Sequence, residues 1–199
     1  RAENWIVKDG QPRAAIVTAE EPAPMARLAA SELQSYVEKI SGARLPITSN
    51  PDTGMPLTVY VGRSRHLERL NVDVSDLDHG AYRVASGDGW VAMSGSDREY
   101  QPVEPRAHSR GDRRRVQREW DKITGEKYEN PFHVVERYWN EDLQLWELSD
   151  AGTLNAVCDF LRDQGVLWYL PGEIGEICPE SDNIAMPEED KLVRPDFAL

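Results

Sequence analysis

Apolar side chains recur every three or four positions between residues 24 and 41, a spacing that places them on one face of a helix. They are Ala26, Ala29, Ala30, Leu33, Tyr36, Val37 and Ile40. Pro24 suits the first turn of such a helix, and Gly42 suits a left-handed residue just beyond its end. The pattern therefore predicts a buried helix over residues 24–41.

Short apolar runs on both sides of this helix are typical of strands. Residues 5–8 and 14–18 flank an Asp-Gly turn and predict a hairpin, and residues 81–85 and 90–94 flank a second glycine turn. Residues 57–61 are rich in β-branched side chains and predict a further strand. Pro46 limits residues 45–48 to the edge of a sheet, because proline cannot donate to a central ladder.

The periodic pattern stops near residue 97 and resumes at Gly152. We predict that residues 97–150 are an insertion within a single domain spanning 1–199, with a short helix over about 112–122. Residues 153–164 predict a second buried helix and residues 166–170 a strand. Residues 187–199 are charged and predict an exit segment toward a downstream domain. The whole predicts an α+β fold, a mixed sheet of six to eight strands with two main helices on one face.

The charge balance limits the classes of partner. The 199 residues carry 23 Lys and Arg against 35 Asp and Glu, a net charge of −12, which makes nucleic acid a poor partner. Residues 106–118 depart from this balance, with six arginines and one aspartate. No apolar run approaches the roughly 20 residues of a membrane span, so no membrane insertion is predicted.

The first residue is Arg1 rather than methionine, and no signal-peptide pattern follows it. We expect that an export signal has been removed and that the protein is secreted or periplasmic, with the cytoplasm as the open alternative. Cys158 and Cys178 are compatible with one disulfide or with two free thiols.

Glu173 and Glu176, in the sequence P-G-E-I-G-E, are the most concentrated acidic pair. Two carboxylates about 5–10 Å apart are what glycoside hydrolysis requires, so this pair is the candidate for catalysis. Acids on a glycine-rich loop more often cap backbone N–H groups or face solvent. We favour that structural interpretation and predict no catalytic residue in this chain.

The insertion holds candidates for carbohydrate binding. The flat faces of Trp120, Trp139 and Trp146 could stack on pyranose rings, and Arg114 could bind the carboxylate of a uronic acid. The alternative, which we favour, is that the tryptophans anchor the insertion. The four histidines and two cysteines show no ligand spacing, and no nucleotide-binding motif occurs, so we predict no metal and no cofactor.

Two stretches resemble known families. Residues 29–47, AASELQSYVEKISGARLPI, resemble the start of the small N-terminal α+β domain of family 20 hexosaminidases and of α-glucuronidases. The stretch GVLWYLPGEIGE at residues 165–176 resembles large bacterial proteins that contain domain of unknown function 4838. The resemblance covers about residues 3–95 and 151–197, and the insertion resembles a planctomycete-type variant of that family.

The resemblance implies a function for the chain as a whole. It implies a non-catalytic, hexosaminidase-like accessory domain of a glycoside-hydrolase-like protein that acts in carbohydrate metabolism. Such a domain supports or docks on a catalytic barrel. The barrel of the same parent protein is the expected partner, and an oligosaccharide or polysaccharide is a second. Two alternatives stay open: a stand-alone carbohydrate-binding module, and, least favoured, an autonomous hydrolase.

Overall fold

The computed structural model describes residues 4–100, 110–125, 138–170 and 172–196. The chain divides into two compact units. The first unit comprises Arg1–Arg98 with Asp150–Leu199, and the second comprises Glu99–Ser149. The assignment of the whole chain to one domain with an insertion and an exit segment stays a prediction.

The described residues contain the following elements in chain order. The helices are α1 (Pro24–Ser41), α2 (Arg65–Arg69), α3 (Arg110–Thr124) and α4 (Gly152–Asp163). The strands are β1 (Trp5–Lys8), β2 (Gln11–Pro12), β3 (Ala14–Val17), β4 (Ile47–Thr48), β5 (Leu57–Val61), β6 (Tyr82–Gly87), β7 (Trp90–Gly95), β8 (Trp139–Asn140), β9 (Leu145–Trp146), β10 (Leu167–Trp168), β11 (Glu176–Ile177), β12 (Ile184–Ala185) and β13 (Asp190–Val193). None of the helices in these ranges is long and apolar enough to cross a bilayer.

A six-stranded mixed sheet is the centre of the first unit, with strand order β13-β6-β7-β5-β3-β4. Strands β4, β3, β5 and β7 are parallel, and β6 and β13 run antiparallel to their neighbours. Strand β4 lies at one edge, as Pro46 predicts. The mixed sheet and its helices confirm the predicted α+β class.

The two faces of the sheet are covered differently, because successive strand residues point to opposite sides. On one face, α1 and α4 pack over Val59, Val84 and Met93 in the main hydrophobic cluster, which confirms two main helices on one face. On the other face, Leu67 of α2 packs with Tyr60 in a smaller cluster. Helix α1 ends as predicted: Gly42 has φ of +72° and its N–H donates to the carbonyl of Glu38 at 2.8 Å.

One prediction about strands needs correction, and one strand was not predicted. Strand β1 forms its hairpin with β2, and β3 belongs to the six-stranded sheet, because β4 and β5 occupy its two edges in parallel register. Residues 190–193, within the predicted exit segment, form edge strand β13. Arg83 of β6 holds this strand by two hydrogen bonds of 2.8 Å to the carboxylate of Asp190.

Candidate functional site

The β10–β11 hairpin follows α4 in the chain. Leu167 pairs with Ile177 and Trp168 with Glu176. A 3-10 turn at Glu173–Gly175 forms part of the loop, and the Tyr169 N–H donates to the Gly175 carbonyl at 2.7 Å. A Cβ at Gly175 would lie 2.2 Å from the Leu170 oxygen, so only glycine allows this approach of the two backbones.

Glu176 fixes this hairpin to helix α1. The Tyr36 hydroxyl donates to one carboxylate oxygen at 2.7 Å, and the Lys39 ammonium donates to the other at 2.8 Å. The Trp168 indole N–H in turn donates to the Tyr36 oxygen at 2.7 Å, and the two rings meet edge to face at 5.4 Å. Side chains from α1 and from both hairpin strands thus form one hydrogen-bonded anchor.

The charges of the anchor keep Glu176 ionised. Its pKa lies below the ordinary value because Lys39 and Tyr36 donate to the carboxylate. Glu32, one turn before Tyr36, has a raised pKa because of its burial, and the negative charge of Glu176 raises it further. Both oxygens of Glu176 already accept hydrogen bonds, so this carboxylate acts as a structural anchor. The side chain of the other candidate, Glu173, lies outside the described residues.

The β10–β11 hairpin carries several exposed apolar side chains. Its large side chains are exposed by 41% at Trp168, 70% at Tyr169, 64% at Leu170, 99% at Ile174 and 50% at Ile177. We call these five residues the apolar hairpin face. Single exposed apolar residues are ordinary, but several of them on one short, anchored hairpin are typical of an interaction surface.

The structure brings two of the three predicted tryptophans of the insertion together. Trp139 and Trp146 are directly opposed across the β8–β9 hairpin, with ring centroids 4.9 Å apart. Tyr100 packs edge to face on Trp146 at 6.0 Å. These half-buried rings therefore pack on one another within the second unit, and a role for them in sugar binding stays a prediction.

Trp120 and Arg114 both lie on α3, which confirms the predicted helix over residues 112–122. Trp120 is half-buried, and its indole nitrogen is buried without a hydrogen-bond partner among the described residues. Arg114 is exposed, six residues earlier and on another side of the helix.

Two cavities lie beside the carboxyl ends of the parallel strands. One, of about 370 Å³, is lined by Arg63, Ser96 and Asp97 among others, and the second, of about 660 Å³, shares Arg63 and includes Asp73. Two of the acids that line them are engaged within the fold: Thr153 donates to both oxygens of Asp97, and Ser75 donates to Asp73. Burial raises the pKa of Asp97, whereas the Ser75 hydrogen bonds lower that of Asp73.

Among the residues that the structure describes, no group of three or more His, Cys, Asp or Glu side chains could hold a metal ion. Cys158 and Cys178 are free thiols, each half-buried. Burial is the main cause that raises the pKa of both.

Sequence reasoning missed the part played by Tyr36 and Lys39. The spacing of α1 assigned Tyr36 to the buried stripe, which is correct for its ring, but gave no partner for its hydroxyl. The sequence signal that was available is the run LWYL at residues 167–170. Successive strand residues point to opposite sides, so these four large apolar side chains cannot all point into one core.

Comparison with known proteins gives a distant structural relative. No protein-family model matches the sequence, and no curated protein matches it significantly. Among solved structures, the chain is similar to a family GH115 4-O-methyl-α-glucuronidase, BtGH115A, with specificity for decorated arabinogalactans. The TM-score is 0.55 and the identity 17%, over 95% of this chain and 18% of that chain. The similarity shows a fold related to part of a glycoside hydrolase.

Proposed function

We propose that this chain is a non-catalytic accessory domain of a glycoside-hydrolase-like protein in carbohydrate metabolism, and that it docks on the catalytic barrel of that protein. The apolar hairpin face is the docking surface in this proposal. The observation that carries it is the combination of an exposed apolar surface with the anchor of Tyr36, Lys39, Trp168 and Glu176, which fixes that surface on α1.

A fixed apolar surface favours docking on another folded domain. Binding does not require the hairpin to order itself, so less conformational entropy is lost than with a flexible loop. Each large side chain that becomes buried contributes about 1–3 kcal/mol. Aliphatic residues such as Leu170 and Ile174 contribute contact area without the hydrogen-bonding groups that a sugar ligand needs.

The structural relative supports a catalytic barrel as the domain that binds the apolar hairpin face. This chain matches 18% of the α-glucuronidase, so most of that enzyme lies beyond the shared fold and has room for the catalytic part. The resemblance of residues 165–176 to the family with domain of unknown function 4838 supports the same arrangement. Within this proposal the parent protein is secreted or periplasmic.

The geometry of Glu176 argues against the autonomous hydrolase. A general acid in glycoside hydrolysis needs a raised pKa and access to the glycosidic oxygen. Glu176 has a lowered pKa, and its two oxygens accept hydrogen bonds from α1.

The test is to express the downstream region of the reading frame separately and to titrate it with this chain in a calorimeter. We expect a complex, and we expect L170D/I174D to weaken it at least about tenfold, since each tenfold corresponds to about 1.4 kcal/mol. The matched control is I123D/L148D, which places the same charges on two exposed apolar residues of the second unit. Absence of a complex, or equal weakening by both variants, would contradict the proposal.

A further inference from the structure

Helix α3 carries a row of cationic side chains. Arg114, Arg118 and Lys122 are successive residues four apart, so they lie in one row along the helix, and all three are exposed. We call these three residues the cationic row. Val116 is buried on another side of the same helix, so the row lies away from the side on which α3 packs.

In the part of the chain that the structure describes, the three cations of this row have no ion-pair partner. The two acids of α3 whose side chains the structure describes have other partners: Glu119 pairs with Arg115 at 3.2 Å, and Asp121 accepts from Gln117 at 2.8 Å. No described acid forms an ion pair with a member of the row. Like charges four residues apart repel each other on a helix, so an external anion along the row would relieve this repulsion.

The geometry of the row favours a polymer with spaced carboxylates. Four residues of helix advance by about 6 Å, so the three cations present charge at regular intervals over about 12 Å. A guanidinium binds a carboxylate through two parallel hydrogen bonds, which suits Arg114 and Arg118 to uronic acid groups.

Nucleic acid fits this surface less well. DNA carries one charge per about 1.7 Å of its axis and requires many cations, whereas this chain has a net charge of −12. We propose that the cationic row is a binding surface for an acidic polysaccharide that bears uronic acid carboxylates. This site lies in the second unit and is independent of the docking function proposed for the hairpin.

The test uses the full chain and polygalacturonate as the probe, in affinity electrophoresis at about 50 mM NaCl, where charge screening is weak. We expect polygalacturonate to retard the protein, and the same polymer with its carboxyl groups reduced to alcohols to have no effect. The variant R114E/R118E should weaken binding about tenfold or more, because it replaces attraction by repulsion at two successive positions.

The matched control is R13E/R69E, which makes the same change of charge at two exposed arginines of the first unit. It should retain binding, and R114K/R118K should retain part of it, since lysine keeps the charge without the paired hydrogen bonds. Circular dichroism verifies the fold, and Arg118→Gln replaces the double variant if that variant is unfolded. The proposal is wrong if polygalacturonate does not bind, if the control loses binding equally, or if a single-stranded DNA oligonucleotide binds more tightly.

Discussion

Tyr36 connects two parts of the chain that are far apart in sequence. Its ring is buried in the core, while its hydroxyl donates to Glu176 and accepts from Trp168, both at 2.7 Å. Removing this oxygen leaves the Trp168 indole N–H without its acceptor. The Glu176 carboxylate then keeps the hydrogen bond from Lys39 and loses the one from Tyr36.

We therefore expect Tyr36→Phe to lower the free energy of unfolding by about 1–2 kcal/mol, the usual effect of losing hydrogen bonds to partly buried partners. Urea unfolding followed by circular dichroism measures this change, and the indole N–H resonance of Trp168 should shift. Tyr169→Phe is the control, because Tyr169 is 70% exposed and lies on the same hairpin. Equal effects of the two variants would show that the anchor does not stabilise the hairpin.

The charge of Glu176 gives the anchor a pH dependence. Its pKa in the folded chain lies below the ordinary value of 4.5, so folding favours the ionised form. The stabilisation is therefore complete above pH 4.5 and is lost as the pH falls through the lower, folded value.

The stability difference between the wild type and Glu176→Gln should be constant near neutral pH and should shrink below pH 4.5. Urea unfolding at a series of pH values measures it. Glu180→Gln, an exposed carboxylate on the segment after β11, is the control and should show a small difference throughout. A Glu176→Gln difference that grows on acidification would overturn the assignment of Glu176 as an ionised anchor.

At the scale of elements, the close contact between the start of α4 and the end of β7 depends on two glycines. A Cβ on Gly152 would lie 2.4 Å from the nitrogen of Ser96 and 2.5 Å from the oxygen of Ala81, both of them backbone atoms. Gly95 faces Gly152 with a similarly short approach. Backbone atoms cannot rotate away, so a methyl group here must displace the helix or the strand.

Gly152→Ala should therefore lower the free energy of unfolding by at least about 2 kcal/mol, the cost typical of overpacking. The control on the same helix is Arg162→Ala, at an exposed position where alanine favours the helix. Thermal and urea unfolding of both variants measure the effect. A stable Gly152→Ala variant would mean that α4 can move away from β7 without loss.

Elements were predictable where the signal is local. The stripe of α1, with Pro24 at its start and Gly42 after its end, contains the information that defines that helix. The partner of β3 was not predictable in this way, because an apolar strand of four residues pairs equally well within a hairpin or between parallel neighbours. Strand β13 was not predicted because its sequence, DKLV, begins with two charged residues and has no apolar alternation. Exposed and charged side chains of this kind suit the edge of a sheet.

The candidate site was less predictable than the fold for the same physical reason. Its main hydrogen bond joins Tyr36 to a residue 140 positions later, and no periodicity in either segment encodes such a contact. The pattern identified Glu176 as an unusual acid, and only the packing of the hairpin on α1 shows its structural role. Local sequence defines elements, whereas tertiary packing decides which polar groups meet.

At the scale of the whole molecule, the chain leaves the first unit after Arg98 and returns to it at Asp150. The Asp150 N–H donates to the Arg98 carbonyl at 2.9 Å, so the two chain ends that flank residues 99–149 are adjacent. Neither described hydrophobic cluster around the six-stranded sheet contains a residue from that range. The core of the first unit is thus built from the remaining residues.

We therefore expect a variant in which an Asn-Gly turn replaces residues 99–149 to fold, because a two-residue turn joins adjacent antiparallel ends. Its circular dichroism should show a cooperative urea transition with a midpoint close to that of the wild type. It should also lose binding to polygalacturonate, since the cationic row is removed, while keeping affinity for the barrel. Failure to fold would show that the first unit needs the second for its stability, and unchanged polysaccharide binding would place that site elsewhere.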